Sequence, residues 1–405
     1  MDSESFHPPA EASASVPAVG SCGRPAASPT QNISGLPLAG EEHSLSEQPE
    51  NEGWSLHSIF LGDEGLRAGW SVVLFLVVGL ILMIVLATGT DFIVHRVLHI
   101  RMGSFTPTSV LLQEFLSVLA LVGAAKVVAV VEDRPLVDYN LRDLRGGVHL
   151  ASGALVGFIS LSALVGALTL GGWLHFGPIP LMGEQILVYG ALWAAAFAFT
   201  GLFEEGVFRC FLQSTLTRGI NFWWAFGVIA ALCLDLLLRS KGDAVWGVYV
   251  AAAAGLVPCV ILHLRRSESA SFWQAAWVTS TLFGFTHTGN GGENWIGVFA
   301  AAAIGFVFCV SIRVTGSAWW AIGFHAAWDW GETYFYGTAD SGNVATGHYL
   351  STTTIGSVLW SGGADGPEGS LLIFFLVIVL LLGLIAVYRR TSRNTPTTAA
   401  AGGSI

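Results

Sequence analysis

The sequence predicts an all-α fold, a polytopic bundle of about ten transmembrane helices that follows a disordered amino-terminal tail. The chain of 405 residues is 53% hydrophobic and only 11% charged, and its mean hydropathy is +0.63. From Trp70 onward, apolar runs close to the ~20 residues that a helix needs to cross hydrocarbon follow one another with short polar breaks. Soluble proteins of this length are rarely so poor in charge, so the membrane is the first predicted partner.

The tail, residues 1–66, is rich in Ser, Pro, Glu, Ala and Gly and shows no apolar period. Such a composition cannot bury enough surface to fold, which predicts disorder. Its first residues lack the basic and apolar regions of a signal peptide. The net charge of −10 comes largely from this tail, and the chain has no basic patch that would indicate a nucleic-acid partner.

Ten apolar runs follow the tail. The predicted spans are 70–88, 107–131, 147–171, 184–217, 222–239, 244–264, 271–288, 293–313, 317–336 and 370–388. We divide the chain into the tail 1–66, amino-terminal helices in 67–146, a core in 147–336 with a two-helix insertion at 222–264, a loop 337–369, and a last helix with a short tail in 370–405. Five cysteines, an odd number with no CxxC pair, indicate neither a disulfide framework nor a cysteine metal site.

Basic residues lie in alternate loops, which predicts an orientation. They are Arg134, Arg142, Arg145, Arg218, Arg265, Arg266, Arg313, Arg389, Arg390 and Arg393, whereas loops 172–183, 289–292 and 337–369 contain no Lys or Arg. Because cytoplasmic loops are enriched in Lys and Arg, both termini are expected in the cytoplasm and the protein in the plasma (inner) membrane. Arg96 with Arg101, and Arg239 with Lys241, depart from this pattern.

Ionisable residues interrupt three of the apolar spans. An ionisable group inside a bilayer costs ~2.5 to 3.5 kcal/mol on insertion scales, so each is a functional hypothesis by default. The first cluster consists of Glu204, Glu205 and Arg209. Helical spacing brings Arg209 beneath Glu205, whereas Glu204 points about 100° away around the helix axis. One glutamate can thus be held by the arginine while the other stays available to act. The alternative is a charge cluster at a membrane surface with a snorkelling arginine.

The second and third clusters are built around histidines. His287 follows Phe283 by four residues, and His325 precedes Asp329 by four, with Glu332 one further turn on. A His and Asp at this spacing can orient an imidazole or hold a cation, although hydrogen-bonded packing is the competing interpretation. At 1.5 Å per residue, Glu204, His287 and His325 lie ~21, ~24 and ~14 Å from the cytoplasmic ends of their helices, so one shared site is possible.

Together these residues resemble the CPBP family of intramembrane proteases, which contains the type II CAAX prenyl endopeptidases and bacterial proteins linked to bacteriocin maturation and immunity. The family is marked by E-E-x-x-x-R, F-x-x-x-H and H-x-x-x-N/D motifs in that order. Here the motifs read Glu204, Glu205 and Arg209; Phe283 and His287; and His325 and Asp329. Thr315 to Trp320 and the segment 366–369 also look like those of family members. The resemblance covers residues 147–336.

Two features depart from the family pattern. Arg209 and His287 are 78 residues apart, which is a longer separation of the first two motifs than we expect for the family. The additional residues contain the two helices that we predict as an insertion. An even number of crossings preserves the direction of the flanking helices. Asp329 stands where the prenyl-protease branch has Asn, which can donate a hydrogen bond to an oxyanion that an ionised Asp would repel. Asp329 is therefore either protonated or orients His325.

The resemblance implies an intramembrane metalloendopeptidase, a hydrolase acting on a membrane-associated peptide or protein, with Glu204 as general base. Two routes remain open. In the first, His287, His325 and one glutamate (Glu204 or Glu205) hold Zn²⁺ with a bound water. In the second, Glu204 and His287 activate water without a metal, and His325 and Asp329 lie near the carbonyl oxygen of the substrate. Other function classes remain open too: an ion- or proton-coupled transporter, and a non-catalytic immunity or scaffold protein.

Overall fold

The computed structural model describes residues 60–62, 65–99, 105–239, 245–266 and 269–394. Most of the tail 1–66 lies outside these ranges, so its predicted disorder is not addressed by the structure. The last residues of that segment contribute a two-stranded antiparallel pair, β1 (Leu61–Gly62) and β2 (Gly65–Leu66).

The described chain is otherwise almost entirely helical. The helices are α1 (Ala68–Asp91), α2 (Pro107–Val131), α3 (Gly146–Leu170), α4 (Glu184–Glu205), α5 (Gln213–Gly219), α6 (Phe222–Arg239), α7 (Val245–Arg265), α8 (Ala270–His287), α9 (Trp295–Thr315), α10 (Trp319–Asp329), α11 (Val358–Ser361) and α12 (Leu372–Asn394). Strands β3 (Leu174–Phe176) and β4 (Thr352–Thr354) form a second antiparallel pair. The fold is the predicted membrane helix bundle.

Within the described residues, eight helices are long and apolar enough to cross a membrane. Each of the ten predicted spans is helical, and the two that fall outside the eight are 271–288 and 317–336. These two carry the histidine motifs. These two segments are shorter or less apolar than the other eight, because helices that enclose a site carry polar side chains.

Helices α3 and α10 approach backbone to backbone, and glycine makes this contact possible. A Cβ at Gly153 would lie 2.0 Å from the carbonyl oxygen of Trp320, and one at Gly157 would lie 2.4 Å from that of Phe324. From the other side, a Cβ at Gly323 would lie 2.0 Å from the carbonyl oxygen of Leu150. Glycines four residues apart let membrane helices approach backbone to backbone, where lipid gives no hydrophobic driving force. This contact fixes the helix that carries His325.

Two helices widen into π-helix immediately after a motif residue. α4 ends at Glu205 and continues as π-helix over Gly206–Leu212. α10 ends at Asp329 and continues as π-helix over Trp330–Tyr336. π-Helical turns inside α-helices are rare and occur frequently at functional sites.

The loops assemble at the two ends of the bundle as their charge predicts. At the end that carries Arg145 and Arg218, Arg218 pairs with Glu132 at 2.8 Å, and Ser317 donates a hydrogen bond to Asp143 at 2.6 Å. At the other end β3 pairs with β4, joining loop 172–183 to loop 337–369. The loops without Lys or Arg therefore share one end of the bundle.

Helices α6 and α7, which cover the predicted insertion 222–264, pack on each other and on α8. Ile229 and Cys259, both buried, belong to the small apolar cluster that this hairpin forms with Ala275 and Val278 of α8. The helices that flank this hairpin in the chain, α5 and α8, also contact each other.

Candidate active site

A cavity of about 470 Å³ lies among α2, α4, α8, α9, α10 and α12. All three predicted clusters contribute to its wall: Glu204 from α4, His287 from α8, and His325 with Asp329 from α10. Apolar side chains of α9 and α12, such as Ile304 and Leu380, complete it. A concave pocket that combines apolar walls with convergent polar groups is typical of binding and catalytic sites.

The two adjacent glutamates occupy different environments. The side chain of Glu205 is fully buried, whereas that of Glu204 is 29% exposed and lines the cavity. Glu205 Oε2 forms an ion pair with Arg209 Nε at 3.2 Å, as the four-residue spacing predicts. One carboxylate is therefore held inside the protein, and its neighbour faces the space that a substrate or water can enter.

Arg209 is enclosed by aromatic rings. Its guanidinium carbon lies 4.3 Å from the ring centre of Phe283, 5.4 Å from that of Phe308 and 5.6 Å from that of Phe208, and its side chain is fully buried. A cation over ring faces within about 6 Å is attracted by their quadrupoles, most strongly where water is excluded. Phe283 thus links the first two motifs, because it lies on Arg209 and packs edge to face with His287 at 4.7 Å.

His325 is held by carboxylates on both ring nitrogens. Its Nδ1 lies 2.8 Å from Glu205 Oε1, while its Nε2 lies 3.4 Å from Asp329 Oδ2 and 3.8 Å from Glu204 Oε2. Because an ionised carboxylate only accepts hydrogen bonds, the short contact with Glu205 places a proton on Nδ1. Arg209, Glu205 and His325 then form one chain of charge-assisted contacts that directs Nε2 towards Glu204 and the cavity.

His287 stands at the end of α8. Its Nδ1 lies 2.7 Å from the backbone oxygen of Phe283. Because a carbonyl oxygen only accepts, Nδ1 carries the hydrogen, and Nε2 of the neutral ring is left as an acceptor. His287 can therefore accept a hydrogen bond or a proton from a molecule in the cavity.

The predicted Zn²⁺ ligands are His287, His325 and one of the two glutamates. Within the described chain, the His, Cys, Asp and Glu ligand atoms that gather within 4.8 Å of one another belong to Glu332, Asp340 and Glu368, and no such group contains His287, His325 and a glutamate. Zinc ligands at about 2.0 to 2.2 Å from the metal need closer spacing than this. In this arrangement His287, His325 and a glutamate do not converge on one point, and Zn²⁺ binding by them stays a prediction.

Sequence reasoning missed several groups on the cavity wall. Glu114 of α2 lines the cavity, and Gln113 donates a hydrogen bond to it at 3.3 Å. A carboxylate inside span 107–131 is the same signal that identified Glu204, so it could have been found. Asp340 and Glu368 also line the cavity but come from the long loop 337–369, where no helical period indicates which residues face inward.

Comparison with known families agrees with the motif pattern. Residues 259–331 match the family model described as type II CAAX prenyl endopeptidase Rce1-like. The matched part begins within α7 and contains Phe283, His287, His325 and Asp329, whereas the glutamate pair precedes it. The match confirms the resemblance to the CPBP/CAAX protease family, which implies a hydrolase of peptide bonds. No curated protein and no solved structure matches the chain.

Proposed function

We propose that this chain, whose residues 259–331 match the Rce1-like type II CAAX prenyl endopeptidase model, hydrolyses a peptide bond of a membrane-associated protein or peptide, using water activated by Glu204. The observation that carries the proposal is the placement of Glu204, His287 and His325 on one cavity, with His325 tied through Glu205 to Arg209.

Glu204 is the general base of this mechanism. Its carboxylate faces the cavity and takes a proton from water as the water oxygen adds to the carbonyl carbon of the substrate. The C–N bond then breaks, and the proton passes from Glu204 to the departing amine. One water molecule is consumed, and a carboxyl group and an amino group are produced.

The histidines stabilise the charge that develops on the carbonyl oxygen. His325 can carry a second proton on Nε2 because three carboxylates lie around its ring, at 2.8, 3.4 and 3.8 Å. A protonated Nε2 donates a hydrogen bond to the oxyanion, and such a bond is strongest where bulk water is excluded. His287, with its hydrogen on Nδ1, holds the attacking water through Nε2.

Asp329 is a positioning residue in this proposal. Its Oδ2 lies 3.4 Å from His325 Nε2, which is the atom that must reach the substrate. An acceptor here limits the rotation of the imidazole and favours its protonated form. The Asn of the family has a side chain of the same length that also ends in an acceptor oxygen, so the orienting role is compatible with either residue.

The cavity wall supports a proposal for the class of substrate. Ile304, Leu376, Val377 and Leu380 give the cavity an apolar side formed by α9 and α12. This side supports a substrate with a lipid chain or a membrane-embedded segment next to the cleaved bond. Paired peptides that differ only in a prenyl group on a carboxyl-terminal cysteine would separate the two kinds of substrate.

The decisive experiment is a cleavage assay in liposomes with Glu204→Gln. We expect the rate to fall about 10²- to 10⁴-fold, the usual contribution of general base catalysis. Glu184→Gln is the matched control, because Glu184 is an exposed carboxylate in the first turn of the same helix. Cleavage by Glu204→Gln at the wild-type rate would refute the mechanism, and wild-type solute uptake without cleavage would indicate a transporter instead.

A further inference from the structure

A second group of carboxylates, distinct from the proposed catalytic set, lies where loop 337–369 meets the bundle. Glu332 comes from the π-helical continuation of α10, Asp340 from the loop, and Glu368 from the short 3₁₀ turn Pro367–Gly369. One oxygen from each lies within 4.8 Å of one from both others. Three separate segments of chain thus bring formal negative charge to one point.

The hydrogen-bond partners of these carboxylates are neutral. Trp328 Nε1 lies 2.9 Å from Glu332 Oε2 and 2.8 Å from Glu368 Oε1, and donates between them. Thr333 Oγ1 donates to Asp340 Oδ2 at 2.6 Å. Residues 330–369 contain no Lys or Arg. The cluster therefore has hydrogen-bond donors but no compensating positive charge from its own segment.

Glu332 supplies an independent indication of a missing ligand. Its side chain is fully buried, and within the described chain its Oε1 has no hydrogen-bond partner although the carboxylate belongs to the cluster. A buried carboxylate oxygen left without a partner is destabilising. Such groups in native proteins are satisfied by a donor, an ordered water or an ion.

We propose that Glu332, Asp340 and Glu368 bind a Ca²⁺ ion. An all-oxygen ligand set is what hard cations prefer, whereas zinc favours nitrogen and sulfur. Ca²⁺ ligands lie at about 2.3 to 2.6 Å from the ion, which permits oxygens up to about 5 Å apart. Mg²⁺ demands near-ideal octahedral geometry and is usually held by one or two carboxylates, whereas Ca²⁺ accepts a larger and less regular set of carboxylate oxygens.

The ion would join the loop to the catalytic helix. Asp340 and Glu368 line the same cavity as His325 and Asp329, and Glu332 is three residues beyond Asp329. Bridging them fixes the cavity wall at the end of the bundle whose loops carry no Lys or Arg. The competing explanation is that these carboxyls hold protons instead, since burial raises the pKa of Asp340 to about 6 and that of Glu368 well above its usual value.

Terbium luminescence separates the two explanations. Tb³⁺ binds at Ca²⁺ sites and is excited through nearby indoles, and Trp328 contacts two of the three carboxylates. With chelator-treated, full-length protein in nanodiscs, we expect sensitised Tb³⁺ emission that Ca²⁺ displaces at lower concentration than Mg²⁺. Glu368→Gln should weaken Tb³⁺ binding by about tenfold or more, because ligand charge sets affinity at such sites. Glu184→Gln should bind as the wild type does.

Thermal unfolding gives a readout that a simple folding defect cannot imitate. Ca²⁺ should raise the Tm of the wild type and of Glu184→Gln but leave the Tm of Glu368→Gln and of Asp340→Asn unchanged. In chelator, both variants should unfold at or above the wild-type Tm, since each removes one of three repelling charges. Trp328→Phe should lose sensitised emission while keeping the Ca²⁺-dependent rise in Tm.

Three results would overturn the proposal. The first is a Ca²⁺-independent wild-type Tm. The second is equal Tb³⁺ emission from the wild type and Glu368→Gln. The third is displacement of Tb³⁺ by Mg²⁺ as readily as by Ca²⁺. These measurements do not require proteolytic activity, so they stand apart from the test of Glu204.

Discussion

The guanidinium of Arg209 occupies the space that a side chain at Gly305 would need. A Cβ built on Gly305 of α9 would lie 2.4 Å from Arg209 Nη2 and 3.4 Å from the ring of Phe283. Arg209 belongs to the first motif and Phe283 to the second, so the glycine allows the two motifs to meet on a third helix.

Substitution of Gly305 should therefore impair catalysis through Arg209. Gly305→Val is expected to displace the guanidinium of Arg209, and the positions of Glu205 and His325 should shift with it. The cleavage rate in liposomes, measured per amount of purified protein, should therefore fall. Gly166→Ala in α3 is the matched control, because a Cβ there meets nothing within 4 Å. Equal rates for the two variants would show that Arg209 can relocate without consequence.

The buried ion pair of Glu205 and Arg209 should dominate local stability. Glu205→Gln leaves the fully buried Arg209 without its carboxylate, and breaking such a pair costs on the order of 3–5 kcal/mol. The exposed pair of Asp235 and Arg239, also four residues apart, is the internal control, and Asp235→Asn should change stability by about 1 kcal/mol or less. Unfolding in detergent measures both, and similar losses would contradict the burial argument.

Asp329 should tolerate Asn better than an apolar residue. Asp329→Asn retains an acceptor oxygen near His325 Nε2 and should keep measurable cleavage, with a changed pH profile because one carboxylate beside the imidazole is lost. Asp329→Leu should reduce the rate roughly 10- to 100-fold, as removal of an orienting partner does. A rate for the Leu variant as high as that of the Asn variant would exclude the orienting role.

Stability should fall as pH rises from about 4.5 to about 8. Burial, together with the carboxylate of Asp365, raises the pKa of Glu293 from 4.5 to about 8. The folded state then binds a proton that the unfolded state has released, so protonation stabilises the fold at low pH and this contribution is lost by pH 8. Glu293→Gln should flatten the dependence of Tm on pH, measured in chelator. A wild-type slope in the variant would show that other groups are responsible.

The helices could be predicted from sequence because a bilayer imposes a length and an apolar composition on each of them. The motif residues could be predicted because ionisable groups in such helices are conspicuous. Asp340 and Glu368 could not, since an irregular loop has no period and its inward-facing residues are fixed by tertiary contacts such as those of β3 with β4. The backbone contacts at Gly153 and Gly157 were likewise not predicted, although their four-residue spacing is visible in the sequence.

The π-helical turns after Glu205 and Asp329 make the protein sensitive to chain length. A π-turn holds one residue more than the α-helical turn it replaces. Removing a single residue between Gly206 and Phe208 would let the helix close into ordinary α-geometry while the residues beyond it keep nearly their present rotation about the axis. Arg209 would then follow Glu205 by three residues instead of four, which stays on the same face but changes the distance between the guanidinium and the carboxylate. A one-residue deletion here therefore alters the spacing of the first motif without removing either charged group.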